Sequence, residues 1–167
     1  PREGELLYWL GRNFMPNRLI EIGRSTGYST LWLAAAVEDN GAGALVSIDC
    51  DIEPACEKVF DDRLLASGAH RIVRKIKGKS WDVAQHCAWD VCGFHGFYDF
   101  LFLDGDHGKR EVEQDLGDWL PHMAPQGMLV AHDTVKFGSD EIARRLRDHK
   151  SEYFERAWPG QIARELV

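Results

Sequence analysis

Residues 18–30 read RLIEIGRSTGYST, and this stretch decides the fold. Residues 18–22 read as a short strand, ended by Gly23. Gly27 follows, and residues 28–37 then carry helix formers, including the longest apolar run of the chain at 31–37. The order is strand, glycine turn, helix. Two glycines flanking such a turn let backbone N–H groups approach a ligand with no Cβ in the way.

The same alternation extends outward. A helix is expected over 5–14, with Leu6, Leu7 and Leu10 at helical spacing, and a strand over 44–48. Pro54 opens a helix that ends before Gly68, a natural residue just past a helix end. A strand at 71–76, a helix at 81–89 and the very apolar strand YDFLFL at 98–103 come next. Residues 109–120 place Val112, Leu116 and Leu120 on one helical face; GMLVA at 127–131 is a fifth strand, and 140–149 a last helix. The tail from 153 to 167 carries extended pieces around Pro159-Gly160. Strands separated by helices are βαβ units. The expected fold class is therefore α/β: a doubly wound, mostly parallel sheet with helices on both faces. No repeat, low-complexity tract or linker interrupts it, so residues 1–167 are read as one domain. Trp9, Trp32 and Trp119 sit at helical positions and are expected in the core.

The chain has 167 residues, 44% of them hydrophobic, enough for a sizeable core. Twenty Lys+Arg against 27 Asp+Glu leave a net charge of -7, which argues against nucleic acid and against an anionic membrane surface. No apolar run approaches the ~20 residues of a membrane span, and no signal peptide is read. Four cysteines are too few for a disulfide scaffold, so reduced thiols in the cytoplasm are expected.

In doubly wound sheets the ligand lies beyond the carboxyl ends of the strands, so the residues just after each strand carry the chemistry. After the first strand stand Gly23, Ser25, Gly27 and Ser29, with the positive end of the next helix behind them. Glu21, an acid in a core strand, is placed to face a ligand's ammonium group; the alternative is an ordinary turn with a partly exposed acid. Asp49 ends the second strand, where a carboxylate accepts two hydrogen bonds from a ribose diol or caps the next turn. Trp81 follows the third strand, where an adenine could stack. The fourth strand stops at Asp104-Gly105-Asp106-His107 and the fifth at His132-Asp133-Thr134. Asp104, His132 and Asp133 would converge as ligands for a divalent cation, or else merely cap the helices that follow.

The order EIGxxxGYST, VSID, YDFLFLDGDH, GMLVAHDT resembles the class I S-adenosylmethionine-dependent methyltransferases. More narrowly it is similar to the divalent-metal-dependent O-methyltransferases of the catechol and caffeoyl-CoA type and their bacterial sugar and macrolide relatives. The resemblance spans roughly residues 1–135 and implies a Rossmann-like methyltransferase fold. It implies that Glu21, Gly23 and Ser29 hold the methionine end of the cofactor, Asp49 the ribose, and Ser80-Trp81 the adenine region. It implies S-adenosylmethionine and a divalent cation as cofactors, with magnesium foremost and manganese or calcium as alternatives. Asp104 and Asp133 would ligate, with His132 in a ligand position. His107 stands where that branch has the lysine that handles the acceptor's proton, and is the candidate base. The implied partner is a small-molecule hydroxyl acceptor (sugar, polyketide or phenolic), with a homodimer as an assembly the family allows. The chain departs from that branch at His132-Asp133, where Asp-Asn is usual, at His107, and in its short region after Trp158.

Three other readings compete. An NAD-binding oxidoreductase needs GxGxxG, whereas the turn here is GxxxG. A metal-dependent hydrolase would use Asp104, Asp106, His107, His132 and Asp133, but leaves the glycine turn and Asp49 unexplained. A zinc module from His86, Cys87, Cys92 and His95 has spacing that fits no closed tetrahedral site.

Overall fold

The computed structural model describes residues 2–50, 52–87, 97–106 and 108–132. Its elements are α1 (Arg2–Phe14), β1 (Arg18–Ile22), α2 (Tyr28–Asn40), β2 (Ala44–Asp49), α3 (Pro54–Ser67), β3 (Val73–Lys77), α4 (Ser80–Cys87), β4 (Tyr98–Leu103), α5 (Lys109–Trp119) and β5 (Met123–Ala131). The strands form one sheet in the order β3-β2-β1-β4-β5, every pair parallel. The order reverses between β1 and β4, which places a crevice above their carboxyl ends.

Both sheet faces are covered, which is why the buried positions of β1, β2 and β4 are apolar but for Glu21 and Ser47. On one face Ile20, Ile22, Val46 and Ile48 pack with Val83 and Ala84 of α4 and Val112, Leu116 and Trp119 of α5. On the other, Leu19, Leu45, Phe100 and Phe102 pack with Leu7 of α1, Leu33 and Val37 of α2, and Phe60 and Leu64 of α3. The α/β doubly wound architecture is as expected. The 140–149 helix and the tail lie outside the described residues.

Three local expectations change. The fifth strand begins at Met123, four residues before 127, because Met123 pairs with Tyr98 and the register then shifts so that Met128 meets Phe100. Pro125 and Gly127 hid that start from the apolar pattern. Residues 69–71 turn in a short 3-10 helix, so the third strand begins at Val73. Trp9 is 59% exposed rather than buried. The buried stripe of α1 is Gly4, Leu7 and Gly11. A Cβ on Gly4 would lie 2.1 Å from the Trp32 indole nitrogen, so only glycine lets α1 sit this close to α2. That contact turns Trp9 to the outer face, edge-on to Tyr8. Trp119 is buried, its carbonyl accepting the Tyr98 hydroxyl at 2.7 Å. No helix among the described residues is long and apolar enough to cross a membrane. Cys50 and Cys56 stand as thiols, with no disulfide among the described residues.

Candidate active site

A cavity of about 610 Å³ opens at the carboxyl ends of the strands, walled by the turns after β1, β2, β3, β4 and β5 and by the start of α1. That is an ordinary size for a small-molecule site. Gly23 sets its floor. Its φ is +87°, and a Cβ there would stand 2.0 Å from the Asp104 carbonyl oxygen, so the tips of β1 and β4 touch through bare backbone. Gly23 N–H donates to Ile48 O (2.9 Å), Asp104 N–H to Ile22 O (2.8 Å) and His132 N–H to Leu103 O (2.9 Å). Each strand tip is thereby tied to its neighbour.

Asp49 organises the glycine turn. Its Oδ2 accepts the N–H groups of Arg24 and Ser25, both at 2.9 Å. Ser25 takes a left-handed φ of +47°, and Gly27 N–H closes onto Arg24 O at 2.7 Å. Gly23, Ser25, Ser29 and Asp49 all line the cavity, with Gly27 at the start of α2 behind them.

Arg24, which the sequence pattern passed over, is only 2% exposed. Its guanidinium donates to Ile76 O (3.0 Å) and Glu57 Oε2 (2.8 Å), and stands 5.1 Å from the centre of the Phe60 ring. A buried charge is tolerated when paired and hydrogen-bonded, and here the pairing fastens the turn to β3 and α3. Lys75 and Arg24 together hold the Glu57 carboxyl below its usual pKa.

Glu21 is not among the side chains that line the cavity, and the partly exposed acid of the alternative reading is instead wholly enclosed. It is fully buried and accepts the hydroxyls of Ser29 (2.5 Å), Thr30 (2.5 Å) and Ser47 (2.6 Å). It therefore joins β1 to β2 and to the first turn of α2. Burial pushes its pKa up, against the three hydroxyls that favour the charge.

On the opposite wall Ser80 donates to Asp115 Oδ1, joining the start of α4 to α5. Burial, chiefly, raises the Asp115 carboxyl to about 6, with Asp118, Asp106 and Glu111 adding to the shift. Asp115 was missed, although an acid at 115 falls on the 112–116–119 apolar stripe, and that was a usable signal. Trp81 lines the cavity, with Lys79 Nζ 5.2 Å from its ring centre.

At the far end His132 Nδ1 stands 3.1 Å from Asp104 Oδ1, and Nε2 stands 3.5 Å from Glu3 Oε2. Glu3, at the start of α1, carried no signal in the sequence. His107 and Asp133 lie outside the described residues, as do Cys92 and His95 of the zinc reading. Among the described residues no three His, Cys, Asp or Glu side chains come together as a metal site; Asp104 and His132 meet as a pair.

Residues 20–134 match the family model described as a methyltransferase domain. The chain belongs to that methyltransferase family. The methyltransferase domain is 25% identical over 135 residues to a catechol O-methyltransferase of Niastella koreensis, covering 81% of this chain and 57% of that protein. It is 29% identical over 147 residues to caffeoyl-CoA O-methyltransferase 2 of Petunia hybrida, covering 84% and 55%. The chain thus spans about half the length of these relatives. Its fold is similar to that of an O-methyltransferase from Bacillus cereus solved in complex with SAH (TM-score 0.74, 20% identity, 92% of this chain and 70% of that one). A methyltransferase from Geobacter sulfurreducens is also similar (TM-score 0.68, 22% identity, 91% and 69%).

Proposed function

We propose that this methyltransferase domain transfers the methyl group of S-adenosylmethionine to a hydroxyl oxygen of a small molecule. The observation that carries the reading is the charge of the cavity wall around its glycine turn. Among the described residues, Glu3, Asp49, Asp104, Asp106, Glu111 and Asp115 line it, against Lys79 and an Arg24 already paired with Glu57. Such a wall attracts a sulfonium that also bears an ammonium group, and repels the pyrophosphate of a dinucleotide. The oxidoreductase and hydrolase readings are not favoured, since neither uses the glycine turn together with Asp49 and this charge. The relatives' names support oxygen as the acceptor atom. The net charge supports a small molecule over nucleic acid, and the cytoplasm and a homodimer remain part of the same proposal.

In the reaction a base takes the acceptor's O–H proton, the oxygen lone pair forms a bond to the methyl carbon, and the carbon–sulfur bond breaks, leaving a neutral thioether. The Gly23–Gly27 turn and Asp49 would fix the sulfonium, and the strand-tip contacts keep both ends of the site in register. Positioning of this kind supplies much of the acceleration. A divalent cation, held by Asp104, His132 and Asp133, would supply Lewis acidity and orient the acceptor. Asp104 Oδ1 and His132 Nδ1, 3.1 Å apart on the cavity wall, are the described side chains that would hold it. His107 is the proposed base.

The same 3.1 Å contact favours a second reading without a cation. In it His132 takes the acceptor's proton on Nε2, and the Asp104 carboxylate beside the ring faces the charge that this proton brings. The test is a screen with labelled S-adenosylmethionine over catechols, glycosides and phenolic acyl-CoA esters, with magnesium and with excess chelator. Turnover lost in chelator supports the cation; turnover retained supports the Asp104–His132 pair. No transfer to any hydroxyl, with no affinity for the cofactor, overturns both.

A further inference from the structure

The mechanism above leaves one buried carboxylate on the cavity wall unused. Asp115 is 2% exposed, and its Oδ1 is held by the Ser80 hydroxyl. Its Oδ2 lies toward the tip of β4, where a Cβ built on Gly105 would stand 3.6 Å from it. Gly78 N–H donates to the main-chain oxygen of Asp49 at 2.9 Å, so the segment leading to Ser80 starts beside the residue whose carboxylate is assigned to the ribose. The glycine turn and α2 occupy the other side of Asp49. A nucleoside held there must run its base along the Gly78–Trp81 wall toward α4 and α5.

The other polar side chains on that wall are engaged or set at its rim. Lys79 lies by the Trp81 ring, and Asp106 Oδ1 accepts Gly108 N–H at 2.9 Å. A carboxylate buried at the end of such a slot is costly unless it receives a donor. Adenine presents one in its exocyclic amine, whereas hypoxanthine presents an oxygen at the same position.

We propose that Asp115 is the specificity residue for the purine, its Oδ2 accepting an N–H of the adenine amine while Ser80 holds Oδ1 in place. The proposal rests on the reading of the cavity as an S-adenosylmethionine site. Asp115 selects the 6-amino base by leaving two oxygens facing each other when a 6-oxo base enters. Sites built on such a hydrogen bond reject the mismatched analogue strongly.

The test is calorimetry at pH 8 with S-adenosylhomocysteine and its deaminated inosyl analogue, on wild type and Asp115→Asn. Wild type should prefer the adenosyl ligand by roughly 10-fold or more. In Asp115→Asn the amide oxygen keeps the Ser80 hydroxyl and the N–H₂ faces the base, so the preference should shrink to within about 3-fold or reverse. A merely structural tie between α4 and α5 would weaken both ligands alike and keep their ratio, and that result overturns the proposal. A wild-type preference below about 3-fold overturns it too, without need of the variant. Wild type that binds neither ligand overturns the cofactor reading itself.

Discussion

Replacing Asp115 by Asn should make the stability of the protein less sensitive to alkali. Burial is the main reason the folded-state carboxyl titrates at about 6, against 3.8 when unburied. Between those values the folded chain binds more protons than the unfolded one, so wild-type stability falls as pH rises, and the loss is complete above the folded value. A shift from 3.8 to 6 corresponds to about 3 kcal/mol at pH 8 and about 1.6 kcal/mol at pH 5. Asparagine keeps an oxygen for the Ser80 hydroxyl and carries no charge. The variant should therefore gain about 1.4 kcal/mol on wild type between pH 5 and pH 8. Urea denaturation of both ligand-free proteins at pH 5, 6, 7 and 8 measures this directly. Half-molar salt should narrow the gap, because Asp118, Asp106 and Glu111 contribute through space. It should not close it, because desolvation is unscreened. Parallel stability curves, or wild type gaining on the variant toward pH 8, would refute the reasoning.

Asp49→Ala removes the proposed ribose acceptor and the partner of two loop N–H groups. It should weaken S-adenosylhomocysteine binding roughly 10–150-fold by calorimetry; an unchanged affinity rules out the assignment. Gly23→Ala forces a left-handed alanine against the Asp104 carbonyl and should cost about 2–5 kcal/mol in urea denaturation, a loss under 1 kcal/mol contradicting the floor geometry. Glu21→Ala strands three buried hydroxyls and should destabilise by about 3 kcal/mol or more, while Glu21→Gln should cost far less and gain on wild type as pH rises, since burial raises the Glu21 pKa. His107→Ala should slow methyl transfer by ~10²–10⁴ with cofactor affinity kept; a rate within a few-fold of wild type assigns the proton to another group.

The strands and the crevice could be read in one dimension because parallel strands buried on both faces are apolar at nearly every position, as 100–103 is and as 19–22 and 45–48 are but for Glu21 and Ser47. The polar residues that end such runs necessarily stand at the sheet's carboxyl edge. Gly23, Asp49, Asp104 and His132 were therefore legible as neighbours, and the structure brings all four to one cavity. Glu21 was legible as unusual but not as satisfied, since its three hydroxyl partners come from Ser29, Thr30 and Ser47, two of them in another element and the third across the sheet.

Local pattern determined which segments are strands and helices, and which polar residues end them. Alternation of apolar runs and glycine turns is a property of neighbours along the chain. Tertiary structure alone decided that Arg24 is buried rather than solvated, because its partners Ile76 and Glu57 lie 52 and 33 residues away. It alone decided that Glu3 stands beside His132 and that Ser80 holds Asp115. It also turned Trp9 outward, because two glycines on α1, which carry no hydrophobic signal, let that helix approach α2 more closely than any side chain would allow. Charges and small residues find their partners through the packing of distant elements, and one-dimensional periodicity holds no record of that packing.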